Sequence, residues 1–169
     1  MNDRIRAVAL GNDPADLLIK NGRVVDVLTG EIYEANVAIA DGVIAGVGDY
    51  QEGKKVVDAT GKYIIPGFIN THCHVESSMA TPQNYCAEEL RWGVTTLITD
   101  PHEIANVAGA KGVKYMLEAT RNLPVNYYVQ VPSCVPATPF EHAGCVMDAE
   151  AMAELIDLDG VLGLGEMMN

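Results

Sequence analysis

The sequence predicts an α/β fold in which parallel strands alternate with helices, as in a (β/α) barrel, after a small β-rich N-terminal part. The β-prone segments near Gly67, Thr95, Asn126 and Val161 start about 28, 31 and 35 residues apart, which is typical of successive βα units. Histidines and carboxylates follow the ends of these segments, and a barrel builds its active site at the carboxyl ends of its strands. We therefore predict about four βα units of a (β/α) barrel.

The main alternative is a doubly wound parallel sheet. That fold binds phosphates at a glycine-rich loop after its first strand, whereas this sequence places Thr71-His72-Cys73-His74 there. A complete barrel of eight units takes about 250 residues, and this chain has 169 residues. We therefore expect residues 66–169 to form the first half of a (β/α)8 barrel, and the chain to be part of a longer protein.

Residues 1–65 predict an N-terminal arm and a small antiparallel β unit. Residues 1–14 are mixed in character and predict a small helix or a loose arm. Short apolar runs follow, with turn signals between them at Asn21-Gly22, Thr29-Gly30, Asp41-Gly42 and Glu52-Gly53. No histidine or cysteine occurs before residue 72. We therefore expect this unit to carry no catalytic residue.

The first helix and the second strand of the barrel part have clear boundaries. Thr81 followed by Pro82 predicts the start of a helix, and Gly93 predicts its end. The run Val94–Thr99 is apolar and β-branched, which predicts a buried strand. This strand ends at the polar segment 100–103.

Two further βα units follow in the same pattern. Residues 110–122 predict a helix and residues 125–131 a strand, whose exit loop is rich in proline. Asp148 is an N-cap for a helix that runs to about Leu155. Residues 161–165 predict the next strand, which ends at Glu166.

The composition excludes several classes of partner. Eleven basic and 23 acidic residues give a net charge of −12, which repels nucleic acids. No run of about 18 apolar residues is present to span a membrane, and the N-terminus lacks the apolar segment of a signal peptide. The four cysteines form no C-x-x-C pair. We therefore expect a cytoplasmic protein with reduced thiols and no membrane or nucleic-acid partner.

The pair His72 and His74 is the strongest chemical signal in the chain. Alternate side chains of a strand face the same side, so these two imidazoles would project together from the first barrel strand. Neutral imidazole binds divalent first-row metals, and two ligands on one rigid element favour a metal site. On spacing alone, two chance histidines in a loop remain an equal alternative.

Longer strings around these histidines resemble the adenine deaminase family of the amidohydrolase superfamily. The resemblance runs in order over nearly the whole chain. It departs from the usual pattern at Asn70, where the family shows Asp, and at Cys73, where an aliphatic residue is common. The strings that carry it are Pro66–His74 with Val75-Glu76-Ser77-Ser78, Asp100–Asn106, Val131–Thr138 and Gly165–Asn169.

This resemblance implies a small β-sandwich before the barrel and a centre of two divalent metal ions. His72 and His74 would bind one ion, and Glu166 would bridge both, because two cations about 3.5–4 Å apart need an anion between them. The ions implied are manganese or iron, with zinc as an alternative. A metal-bound hydroxide would deaminate adenine to hypoxanthine and ammonia. The family also implies two more histidines and a catalytic aspartate from later strands, and a purine base as the partner. We also expect a homo-oligomer.

Several other polar residues can be assigned either a functional or a structural role. Asp100, His102 and Glu103 follow the second barrel strand, and they would contact substrate or orient the metal-binding imidazoles. They would equally cap a turn or the following helix. Ser77 and Ser78 would face substrate or cap a turn. His142 lies in the proline-rich loop, where a solvated role is favoured.

Three other functions are alternatives to the deamination of adenine. His74-Val75-Glu76 matches the H-x-E of cytidine-type zinc deaminases, but the C-x-x-C that completes their zinc site is missing. A cyclic amide hydrolase of the same superfamily typically bridges its metals with a carboxylated lysine, and Glu166 at that position argues against it. An inactive metal-binding or oligomerisation module stays open.

Overall fold

A computed structural model describes residues 2–168 and divides the chain into two compact units, one up to Pro66 and the other from Gly67 onward. Residues 1 and 169 lie outside the described residues. Residue 1 belongs to the predicted range 1–65, and residue 169 belongs to the predicted range 66–169 and to the string that ends at Asn169.

The first unit is a five-stranded sheet with one short helix. Helix α1 is capped by the Asn2 side chain, which accepts a hydrogen bond from the Arg4 N–H. The sheet order is β3-β2-β1-β4, and β5 also pairs with β1. The elements are α1 (Asp3–Ala9), β1 (Ala15–Val25), β2 (Ile32–Ala40), β3 (Val43–Gly48), β4 (Gly53–Asp58) and β5 (Tyr63–Ile64).

The prediction of an antiparallel unit is wrong for part of this sheet. β1, β2 and β3 pair antiparallel, but β4 and β5 both pair parallel with β1. Turn residues mark where a strand ends, whereas the choice of partner depends on contacts between distant segments. The loop after β3 carries the chain past β2 to the free side of β1, so β4 runs in the same direction as β1.

The predicted turn at Asn21-Gly22 is also wrong, because both residues lie inside β1. Asn21 has a φ of 61°, and the pairing of β1 with β2 shifts register between Ile19 and Gly22. This is a bulge, which tolerates a left-handed residue without reversing the chain. A Cβ on Gly22 would lie 2.5 Å from Cδ1 of Ile64, so a larger residue there would displace the Ile64 side chain.

The second unit is a four-stranded parallel sheet whose strand order, β6-β7-β8-β9, follows the chain. A doubly wound sheet reverses its strand order at a switch point, and no reversal occurs in the described strands. The α/β fold of the (β/α)-barrel kind is thereby confirmed. Its elements are β6 (Phe68–Cys73), a 3₁₀ turn (Glu76–Ser78), α2 (Pro82–Arg91), β7 (Val94–Thr99), α3 (His102–Ala108), α4 (Ala110–Thr120), β8 (Asn126–Val131), α5 (Ala149–Ala153) and β9 (Val161–Leu164).

Helix caps and an apolar core hold this unit together. The side chains of Thr81 and Asp148 accept hydrogen bonds from backbone amides of α2 and α5, as predicted. Leu97, Val113 and Val129 are fully buried in one cluster between the strands and helices. Burial of each such side chain contributes about 1.5–3 kcal/mol. No helix within residues 2–168 combines the length and apolar character needed to cross a bilayer.

Helix α3 is the one described α-helix of this unit that the sequence did not predict. It has seven residues, and Gly109, with a φ of 60°, separates it from α4. A segment of this length is too short to show a helical periodicity. Its first residue is His102, so this small helix determines where that imidazole lies.

Candidate metal centre

His72 and His74 stand side by side at the carboxyl end of β6. His72 belongs to β6, and His74 follows its last residue, Cys73. The two ring centroids lie 5.0 Å apart in an edge-on arrangement. The prediction that the i and i+2 spacing brings the imidazoles together is therefore confirmed.

Glu166 meets both imidazoles from the end of β9. Its Oε2 lies 3.5 Å from Nε2 of His72, and its Oε1 lies 3.7 Å from Nε2 of His74. The ligand-capable atoms of the three residues all lie within 4.8 Å of one another. The structure thus brings together the three side chains that the sequence predicts as metal ligands, and metal binding itself stays a prediction.

The spacing of these atoms suits a metal ion. Zinc and similar ions bind nitrogen and oxygen ligands at about 2.0–2.2 Å, so two ligands of one tetrahedral ion stand about 3.4 Å apart. The separations of 3.5 and 3.7 Å between imidazole nitrogens and carboxylate oxygens are close to that value. Imidazole and carboxylate are also ligands that manganese, iron and zinc accept.

A second imidazole–carboxylate pair lies beside the first group. Nδ1 of His102 is 2.6 Å from Oδ1 of Asp100 and 3.7 Å from Oε1 of Glu166. Asp100 is fully buried and His102 is 6% exposed. Ligand-capable atoms of His74, Asp100 and His102 also lie within 4.8 Å of one another. Asp100 and His102, which follow β7, therefore lie next to the three predicted metal ligands.

Glu103 and Ser77 flank His74 on its other side. Oε2 of Glu103 is 3.3 Å from Nδ1 of His74, and Ser77 donates its hydroxyl to Oε1 of Glu103 at 2.5 Å. Partial burial acts to raise the pKa of Glu103, but the bonds from Ser77 and from its own backbone, with His74 nearby, bring the pKa below its ordinary value. Glu103 is therefore a carboxylate at neutral pH. The contact lacks hydrogen-bond geometry, so among the described atoms the buried Nδ1 of His74 has no hydrogen-bond partner.

Within the part of the chain that the structure describes, the Ser78 hydroxyl makes local hydrogen bonds. Its hydroxyl donates to the Val75 carbonyl at 2.6 Å and accepts from the Ala80 N–H at 3.2 Å. These bonds cap the 3₁₀ turn, which was one of its two predicted readings. Its contact with substrate stays a prediction. His142 is exposed in the loop after β8.

Three residues near the site received no role from the sequence. Glu76 accepts a hydrogen bond from the Ile104 N–H at 3.1 Å, and burial raises its pKa. Cys134 lies with its Sγ 3.4 Å from Nε2 of His102. Gly165 lies so close to Asp100 that a Cβ there would stand 2.2 Å from Oδ2. The available signal was position, because Cys134 and Gly165 both follow strand ends at the edge that carries the histidines.

Comparison with known proteins places this site in context. Residues 63–168 match the model of the amidohydrolase family. The chain is 50% identical to an adenine deaminase from Listeria welshimeri over 163 residues, and 54% identical to an adenine deaminase from Oceanobacillus iheyensis over 163 residues. Each alignment covers 96% of this chain and 28% of the relative. The chain therefore spans under a third of the length of these relatives.

Solved structures show the same fold. Atrazine chlorohydrolase from Arthrobacter aurescens TC1, solved with zinc, superimposes with a TM-score of 0.66 at 17% identity, covering 88% of this chain and 46% of that one. The crystal structure of an adenine deaminase gives a TM-score of 0.58 at 26% identity, covering 87% of this chain and 40% of that one. Both similarities extend over most of the described residues.

Proposed function

Because the chain belongs to the amidohydrolase family, we propose that its second unit provides metal ligands for the hydrolytic deamination of adenine to hypoxanthine and ammonia. The observation that carries this proposal is the convergence of His72, His74 and Glu166 from two strands on one small space. The substrate class is supported by the adenine deaminases that are about half identical to this chain.

His72 and His74 would hold one ion, with Glu166 reaching towards a second. The two oxygens of Glu166 face different neighbours, since Oε2 lies near His72 and Oε1 lies near both His74 and His102. Each of the two oxygens of one carboxylate can bind a cation, so Glu166 would be the residue that holds a second ion beside the first. We propose manganese or iron as the ions, with zinc as the alternative.

Divalent ions, when bound, supply a water molecule whose pKa is lowered towards neutrality. Water would add to C6 of adenine, with one of its protons passing to the exocyclic nitrogen and the other ending on a ring nitrogen. The bond from C6 to the exocyclic nitrogen would then break, and that nitrogen would leave as ammonia. The residues described here bind and orient rather than react. Glu103 is ionised and lies 3.3 Å from Nδ1 of His74, so it places a negative charge beside that imidazole, whose Nε2 lies 3.7 Å from Oε1 of Glu166.

The test is a chimera in which this chain replaces the matching 163-residue stretch of the Listeria welshimeri relative. We expect the chimera to release ammonia from adenine when supplied with manganese, and to lose this activity in the Glu166→Gln variant. The matched control is His142→Ala, which removes an exposed histidine of the same chain and should retain activity.

Two results would count against the proposal. A folded, metal-loaded chimera that hydrolyses a cyclic amide such as dihydroorotate, but leaves adenine intact, would favour the cyclic amide hydrolase alternative. A chimera that retains full activity after Glu166→Gln would show that Glu166 has no part in the site.

We also propose a homo-oligomer, for which size-exclusion chromatography with light scattering is the measurement.

A further inference from the structure

We propose that Asp100, His102 and Cys134 form a buried network, here called the positioning network, that fixes the main chain at Glu166. This inference rests on the proposed function, because it assigns to these residues the task of holding a metal ligand in place. Asp100 and Cys134 act on opposite sides of the Glu166 residue, and His102 connects them.

Asp100 holds the amide side of Glu166. The Glu166 N–H donates to Oδ2 of Asp100 at 2.8 Å, and Asp100 is fully buried at the end of β7. A hydrogen bond to a buried charged group is stronger than a neutral one and is costly to leave unmade. Gly165 makes the approach possible, since a Cβ there would stand 2.2 Å from Oδ2. Any larger residue at position 165 would push Asp100 and the Glu166 amide apart.

Cys134 acts on the carbonyl side of Glu166. Its Sγ lies 3.4 Å from the Glu166 carbonyl oxygen, and the Ser133 hydroxyl also donates to that oxygen at 3.4 Å. The Met168 N–H donates to the same sulfur at 3.2 Å. Cys134 is therefore bonded to the chain on both sides of Met167, which limits the freedom of the segment after β9.

His102 joins the two sides. Its Nδ1 lies 2.6 Å from Oδ1 of Asp100, and its Nε2 lies 3.4 Å from Sγ of Cys134. When His102 carries its proton on Nδ1 and donates it to Asp100, its Nε2 can only accept a hydrogen bond. The Cys134 thiol has a single proton, which it can donate either to Nε2 of His102 or to the Glu166 carbonyl oxygen. A buried carboxylate, imidazole and thiol thereby satisfy one another without solvent.

These distances favour a positioning role over a second metal set made of His74, Asp100 and His102. Two ligands of one ion stand about 3.4 Å apart, whereas Nδ1 of His102 and Oδ1 of Asp100 are 2.6 Å apart, which is a short hydrogen bond. The other oxygen of Asp100 is already bonded to the Glu166 amide. Both oxygens of Asp100 are thus engaged within the protein.

The test measures cobalt binding to the 169-residue chain by titration calorimetry and by the visible absorption of bound cobalt. Partners that orient metal ligands typically contribute 10–100-fold to metal affinity. We therefore expect Asp100→Asn and Gly165→Ala each to weaken cobalt binding by about 10–100-fold and to change the absorption spectrum. Cys134→Ala should weaken binding less, and Cys134→Ser, which keeps a hydrogen-bonding group, should restore it.

The control is Thr120→Ala, which removes a buried hydroxyl that donates to the Met116 carbonyl in α4. It should destabilise the fold while leaving cobalt affinity and spectrum unchanged. Asp100→Asn and Gly165→Ala variants that fold and bind cobalt like the wild type would overturn the positioning network alone. A wild-type chain that binds no cobalt would overturn the proposed metal centre and the network with it.

Discussion

The backbone N–H of Glu166 donates to the buried carboxylate of Asp100 at 2.8 Å, which ties the segment after β9 to the end of β7. In the sheet β8 lies between β7 and β9, so this bond joins two strands that do not pair with each other. The side chain of Glu166 projects from this fixed backbone towards His72 and His74. The geometry of the candidate metal centre thus depends on residues that need not touch a metal.

Glu166 and Glu103 should differ in their effect on metal affinity. Glu166→Gln removes the negative charge of the carboxylate that lies beside both His72 and His74. We therefore expect a loss of zinc affinity greater than the roughly 10–100-fold that is typical of a residue that only orients a metal ligand. Glu103→Gln should fall within that range, since it only faces Nδ1 of His74. Titration calorimetry gives both values, and Glu141→Gln in the exposed loop is the control. Equal affinities for all three variants would contradict the assigned roles.

The turn between β2 and β3 should affect stability alone. Gly42 has a φ of 76°, so Gly42→Ala should cost about 1 kcal/mol of unfolding free energy. Asp41→Asn, the control, places at φ 50° a residue that tolerates this conformation. Urea unfolding measures the loss. Bound zinc per chain should stay unchanged in both, and its loss from a folded Gly42→Ala variant would show that the first unit takes part in the metal site.

Asp16 should make the first unit sensitive to acid. The Asp41 N–H and the Lys54 and Arg4 side chains all bond to its carboxylate, and they lower its pKa from the usual 3.8. A depressed pKa contributes stability that is present above pH 3.8 and is lost as the pH falls through the folded value.

We therefore expect Asp16→Asn to be less stable than the wild type at pH 7, with the difference shrinking below pH 4 as Asp16 is protonated. Thermal unfolding followed by circular dichroism across this range measures the difference. Asp13→Asn, at an exposed position nearby, is the matched control. A difference that stays constant from pH 7 to pH 2 would show that the ion pairs of Asp16 do not contribute.

The sequence predicted the elements whose signals are local. Thr81, Pro82 and Gly93 bound α2, and the β-branched run of β7 follows directly. The period of two in a strand placed His72 and His74 together. The parallel pairing of β4 with β1 was missed because it depends on which strand edge a distant segment meets.

The positioning network was missed for a similar reason. Asp100 and His102 are close in the chain, but Cys134 reaches His102 only through the parallel pairing of β7 with β8. Cys134 lies 32 residues after His102 in the chain, so neither a periodic pattern nor a sequence motif indicates that they are in contact. Its position just after a strand end was the available indication, whereas the role of Glu166 was implied by the resemblance to the adenine deaminase family.

The 169-residue chain alone should release no ammonia from adenine. The candidate metal centre brings together three residues that could bind a metal, His72, His74 and Glu166, and a two-metal reaction needs more ligands and a positioned base. His142, the fourth histidine of the chain, is exposed in a loop. An enzyme-coupled ammonia assay with added manganese is the measurement, and the chimera with the Listeria welshimeri relative is the positive control. Turnover by the chain alone at the rate of the chimera would require a different active site.

The position of a bound metal ion tests the central claim most directly. Crystals of the chain soaked in zinc, measured at the zinc absorption edge, should give an anomalous peak about 2.0–2.2 Å from Nε2 of His72, Nε2 of His74 and a Glu166 oxygen. Nε2 of His72 lies 3.5 Å from Oε2 of Glu166, and Nε2 of His74 lies 3.7 Å from Oε1, so little movement is needed. A peak at other residues, with the Glu166 carboxylate turned away from both histidines, would contradict the account.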